Sequence, residues 1–281
     1  MKCLNLIITT ILLSMILNPS LQAQEEPPQI EGHAYRDGQW RNDMYEALVW
    51  MLKGSYLQFT QKSNLGYAAV AAASLSYSFD HDKRVSGLYQ SKSIPKHIDL
   101  TGDIGIGLNA PIIPLGSYII GAMRGDSKLM NFAKEYAAAF YLTVAEVELF
   151  SWIHIHDRPN THDISFWETE FRGPSSFPSG HIIPYTVLFF KTLQFYGPLW
   201  SVIPGILSYW SSYQRMQEGR HWFSDIVGGF FLSAFASEGV RAAANRNENY
   251  HPIYRWIFTH QFRVIPWNRG KMGGLSIAWN F

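Results

Sequence analysis

From residue 43 to 246 the chain is a succession of apolar segments with helical spacing, cut at intervals by Gly and Pro. Nothing else in it constrains the fold as much. A period between three and four residues puts one apolar stripe on each segment, and those stripes must bury against one another. "DMYEALVWMLKGSYLQFTQ" (43–61) is apolar at mixed three- and four-residue intervals, and the Ala-rich "NLGYAAVAAASLSYSF" (64–79) suits close helix packing. "DSKLMNFAKEYAAAFYLTVAEVELFSWIHIH" (126–156) is the longest candidate, with Asp126 or Ser127 as its N-cap. Segments 180–197, 198–217 and 221–246 follow, while the charged stretch 79–103 reads as a loop or short-helix connector. The expectation is an all-α, single-domain bundle of about six or seven helices spanning 43–246.

Two stretches, 104–123 and 192–213, reach the roughly 20 residues of a membrane span, but Gly and Pro interrupt both. The mean hydropathy of −0.08 is low for a polytopic protein. The reading is therefore buried helices of a bundle, with an integral membrane protein as the alternative. Lys2, the apolar "LNLIITTILLSMIL" and Ala23 ahead of Gln24 read as a signal peptide over 1–23, although Leu21 is not ideal three residues before the cut. An uncleaved anchor helix is the competing reading. Polar, Pro-rich residues 24–42 form a leader. The single cysteine, Cys3, lies inside the signal, so the mature chain holds no thiol. That excludes a Cys nucleophile and thiolate metal ligation, and export without disulfides fits a bacterial periplasm. A net charge of +1 with no basic stripe excludes a nucleic-acid partner. In the tail, 247–281, Leu275, Ile277, Trp279 and Phe281 alternate as in a strand, which predicts a short C-terminal β-hairpin with 264–274 as its turn.

Three segments carry chemistry. "HDRPN" (156–160) contains Arg158 and Pro159. "FPSGH" (177–181) contains Ser179, Gly180 and His181. "SSYQRMQEGRHWFSDIVGG" (211–229) contains Arg215, His221 and Asp225. Singly, each has an ordinary structural explanation: a turn, a helix cap, an intrahelical pair. Together their side chains suit phosphoryl transfer. Arg158 and Arg215 offer forked donors for a phosphoryl group. The Ser179 hydroxyl and the Ser179 and Gly180 amides, ahead of a helix, can meet an anion. His221 and Asp225, four apart, would share a helical face, so that Asp225 orients an imidazole free to attack phosphorus. His181 could protonate the leaving oxygen.

In this order the segments resemble the three-part signature of the type-2 phosphatidic acid phosphatase superfamily, which also includes bacterial acid phosphatases and vanadium haloperoxidases. The resemblance implies His221 as the nucleophile that forms a phosphohistidine, Asp225 as its orienter and His181 as the general acid. It implies Arg158, Ser179, Gly180 and Arg215 as the phosphate cradle, with no metal and no cofactor. The implied activity is hydrolysis of phosphate monoesters or of lipid phosphates or diphosphates, and contact with a membrane surface stays open. A haloperoxidase, or a non-catalytic envelope protein with a decayed site, is the alternative.

One position departs from the signature. The family has a Lys seven residues before Arg158; here it is Ser151, which carries no charge. Arg172 or Lys191 could supply the missing cation, and His154, one turn before Arg158, could add charge at acidic pH. On a helix His154 and His156 would face different ways, so "HIHD" (154–157) is not read as a metal site. Arg220 is expected at the pocket rim, and Gly228 and Gly229 are expected to allow close helix packing.

Overall fold

Helix α1 (Gln39–Leu57) takes up the last four residues of the expected leader and opens the bundle. It is followed by α2 (Lys62–Gln90), α3 (Lys96–Asn109), α4 (Ile112–Arg124) and α5 (Ser127–Ser151). Then come α6 (Ile183–Tyr196), α7 (Pro198–Gln217) and α8 (Phe223–Ala244), a 3₁₀ turn at Asn247–Asn249, and α9 (Pro252–Thr259). The chain ends in an antiparallel hairpin of β1 (Phe262–Arg269) and β2 (Met272–Trp279), which pairs Phe262 with Trp279 and Val264 with Ile277. This computed structural model describes residues 38–90, 92–160, 173–259, 262–269 and 272–279; the expected signal peptide, Arg172 and Phe281 lie outside them. Among the described residues the protein is an all-α single domain with that short hairpin. No described helix is long and apolar enough to cross a membrane.

Three expectations need correction. Residues 264–274, read as the turn of the C-terminal hairpin, are mostly strand, since β1 runs to Arg269 and β2 starts at Met272. The stretch 79–103, read as a connector, is mostly helix: α2 continues to Gln90 and α3 begins at Lys96. The apolar run 104–123 is two helices, broken before Pro111, whose ring cannot continue the amide ladder.

The centre of the bundle is α5 against α8. Asp126 caps α5 by accepting the Leu129 N–H at 2.9 Å. Tyr136, Ala139, Phe140, Leu142 and Val147 of α5 pack with Trp50 of α1, Ile183 and Val187 of α6, and Ala236 and Val240 of α8. The crossing of α1 over α8 is close because Gly54 meets Gly239: a Cβ on Gly239 would stand 2.4 Å from the Gly54 carbonyl oxygen.

A second cluster carries the site on its back. Ile182, Met216 and Ile226 are buried together with Tyr89 of α2. Each follows a residue of the chemical segments directly: His181, Arg215 and Asp225. Burying these three apolar neighbours fixes the backbone from which the polar side chains leave.

Candidate active site

The end of α7 and the start of α8 set the first part of the site. After Gln217 the chain reverses through Gly219, whose φ of 69° is open to glycine at little cost. The Arg215 carbonyl oxygen accepts the amides of Arg220 at 3.0 Å and His221 at 3.3 Å, so Arg215 and His221 are tied by backbone. His221 is fully buried, and it lies before α8, not on it. Asp225, in the first turn of α8, reaches back over the helix start. Its Oδ2 accepts the Trp222 N–H at 2.8 Å and lies 3.2 Å from His221 Nδ1. The pair is thus joined across a helix cap; the expected shared helical face is replaced by this geometry. The same carboxylate satisfies an orphan helix donor and holds an imidazole.

The other two segments dock on this turn. The Asn160 N–H donates to the Gly219 carbonyl at 2.9 Å, and buried Arg158 directs Nη1 to the Arg220 carbonyl at 3.4 Å. The Ser179 N–H donates to the Asp225 carbonyl at 2.9 Å. Gly228 and Gly229 make room for this loop. A Cβ on Gly228 would stand 2.3 Å from the Phe177 ring, and one on Gly229 would stand 2.6 Å from the Ser179 carbonyl oxygen. The result brings the His181 and His221 rings to 5.9 Å between centroids, tilted by 58° to each other.

The backbone part of the expected cradle differs from the reading. The Ser179 amide is spent on Asp225, and α6 starts only at Ile183, past Gly180. What Ser179 leaves over is its hydroxyl, which is buried and has no hydrogen-bond partner among the described residues. Buried Arg215 carries Glu218 at 3.4 Å from its Nη1, and Arg220 lies half-buried, 3.9 Å from the same carboxylate. His154 is exposed, with its Nε2 3.7 Å from Asp157 Oδ1.

Four residues that the sequence reading did not assign to the site, His156, Ser176, Ser224 and Asp82, stand behind Asp225. Helix α5 ends at Ser151, so 152–160 is not helical and His156 turns inward. His156 Nδ1 lies 2.8 Å from Ser176 Oγ, while its Nε2 lies 3.1 Å from Ser224 Oγ and 3.3 Å from Asp82 Oδ2. Asp82 also accepts the Ser224 N–H at 2.7 Å and the Ser224 hydroxyl at 2.6 Å, which caps α8 a second time. Ser176 Oγ lies 3.3 Å from Asp225 Oδ1. Burial pushes the Asp225 carboxyl up to about 7, against the pull of His156, the Trp222 amide and Ser176. For His156 burial acts downward, but the bond to Asp82 and the charges of Asp225 and Asp82 outweigh it, and the net shift is up. Among the described residues no group of His, Cys, Asp and Glu is placed to hold a metal ion.

Residues 134–248 match the family model described as the PAP2 superfamily. The match covers all three chemical segments and begins within α5; α1 to α4 lie outside it. No curated protein and no solved structure matches the chain.

Proposed function

We propose, from the PAP2-superfamily region at residues 134–248, that this protein is a metal-independent phosphatase acting on phosphate monoesters or lipid phosphates and diphosphates through a phosphohistidine at His221. Members of that superfamily are generally phosphatases, which supports a phosphoric ester hydrolase at the coarse level. The observation that carries the finer reading is His221 held by Asp225 at 3.2 Å with the His181 ring 5.9 Å away.

With Nδ1 engaged by Asp225, the Nε2 lone pair of His221 attacks phosphorus. The P–N bond forms, the P–O bond to the leaving group breaks, and His181 gives its proton to the departing oxygen. Water then attacks the phosphohistidine, His181 takes the proton of that water, and the P–N bond breaks to release phosphate. Arg158, Arg215 and the Ser179 hydroxyl surround the equatorial oxygens, and Gly180 leaves space beside them. The haloperoxidase reading uses the same pocket for vanadate, but it leans on the cation that Ser151 does not supply.

Hydrolysis of p-nitrophenyl phosphate, undecaprenyl diphosphate and vesicle-borne phosphatidate separates the substrate classes. Exposed Leu199, Trp200, Ile203 and Ile206 along α7 favour an ester presented at a lipid surface. His221→Ala should lose about 10³-fold or more in kcat. Asp225→Asn should keep the fold and lose about 10²-fold or more. Full activity in His221→Ala would overturn the proposal. Bromide oxidation with vanadate and peroxide, without ester hydrolysis, would favour the haloperoxidase.

A further inference from the structure

Behind the proposed nucleophile runs a second histidine–carboxylate pair whose partner lies outside the superfamily match. Asp82 sits on α2, and Ser224 and Asp225 sit in the first turn of α8. His156 stands between the two carboxylates. Its Nε2 is 3.3 Å from Asp82 Oδ2 and its Nδ1 is 3.7 Å from Asp225 Oδ1. Two acceptors, Ser224 Oγ and Asp82 Oδ2, face Nε2, and Ser176 Oγ faces Nδ1. A neutral ring protonated on Nε2 would take the Ser176 hydroxyl proton on Nδ1 and so withdraw that donor from Asp225 Oδ1, whereas an imidazolium, with a proton on each nitrogen, donates to both sides and leaves the Ser176 proton for Asp225. With Nδ1–H donating to Ser176, the proton of that hydroxyl has three acceptors within 3.3 Å: the carbonyl oxygens of His156 and Asp157, and Asp225 Oδ1. The charged one is the strongest.

We propose that His156, held as an imidazolium by Asp82, is a positioning residue whose charge keeps buried Asp225 ionised, so that Asp225 can orient His221. The inference rests on the phosphatase reading of the same site. Among the described residues, the charged groups that face it are Asp82 from α2 and Asp225 at the head of α8, whose other oxygen meets His221. Asp157, beside it in the chain, is exposed and faces His154. Asp225 alone would be poorly charged: it is fully buried, and burial favours its neutral form. A cation 3.7 Å away opposes that.

In the free enzyme Asp225 sets the acid limb of the kcat/KM profile, because only the carboxylate orients His221. His156→Gln keeps a polar side chain and removes the charge. With p-nitrophenyl phosphate, the acid limb should move up by about one pH unit, so that the rate lost at pH 6 exceeds that lost at pH 8 by up to about tenfold. An equal loss at all pH values, the signature of a merely structural role, would overturn the proposal. Titration of the histidine ring nitrogens by ¹⁵N NMR needs no turnover and no variant. In the wild-type protein the His156 ring should be doubly protonated at pH 7, and a neutral His156 there would equally sink the idea. A wild type that hydrolyses no ester would refute the phosphatase reading, while the ring titration still decides the charge of His156.

Discussion

Ser151 stands where the family signature has a lysine, and its surroundings give it another task. It is fully buried at the end of α5. Its hydroxyl donates to the Glu148 carbonyl at 2.7 Å and accepts the Gly173 N–H at 3.0 Å, while its own carbonyl takes the Ser175 N–H at 3.0 Å. Ser151 therefore pins the strand of chain that leads into "FPSGH". Nor does Lys191 fill the gap. It is buried beside Glu135 at 2.9 Å, with Gln194 Oε1 and the Ser237 carbonyl as further acceptors. That charge is neutralised inside the core. Ser151→Ala should leave the buried Gly173 amide without its acceptor and lower stability by about 1–3 kcal/mol, measured by chemical denaturation. An unchanged midpoint would show that the bond is dispensable. A lysine at 151 would have to displace Gly173, so Ser151→Lys should not tighten vanadate binding.

At the level of elements, the first turn of α8 organises the site. Asp82 and Asp225 satisfy its free amides, the Asp225 carbonyl takes the Ser179 amide, and Gly228 and Gly229 seat the loop that carries Ser179. Gly229→Ala would press a methyl against the Ser179 carbonyl and Ile182. It should lower kcat more than it lowers stability, because the displaced loop holds His181; thermal unfolding and turnover measured on the same sample distinguish the two. Unchanged kcat with a lowered Tm would count against α8 as the organiser. The residues now drawn together by this turn were legible as motifs, because phosphoryl chemistry needs forked cations, a hydroxyl and an oriented imidazole, and few other uses collect them in that order. The helix behind them was not legible. The buried positions of α2 include Ser78, Asp82, Ser86 and Tyr89, so its inward stripe towards the site is mostly polar. Apolar periodicity cannot mark such a helix, and the charged residues around Asp82 suggested a connector. His156 was missed for a related reason. The reading continued α5 through it and judged it by helical faces, whereas the helix stops at Ser151.

Across the whole molecule, the pocket draws on four separate parts of the chain: α2, the loop after α5, the "FPSGH" turn, and the α7–α8 turn with the helix ends on either side of it. The apolar cluster of Tyr89, Ile182, Met216 and Ile226 joins three of them from behind: α2, the "FPSGH" turn and both sides of the α7–α8 turn. On the far side, buried Lys191 of α6 bonds Glu135 of α5 and the Ser237 carbonyl of α8, and Gln194 of α6 donates to Glu238 of α8, which ties the three helices together. Only in the folded bundle, then, do His181 and His221 meet, and the chemistry belongs to that assembly and not to any motif. The claim that His221 carries the phosphoryl group is tested most directly by rapid acid-free denaturing quench of the enzyme mixed with ³²P-labelled substrate, followed by peptide mapping. The account predicts an acid-labile label on His221 that appears within one turnover, accumulates in His181→Ala with a good leaving group, and is absent in His221→Ala. Turnover without any trapped label, together with full activity in His221→Ala, would contradict it.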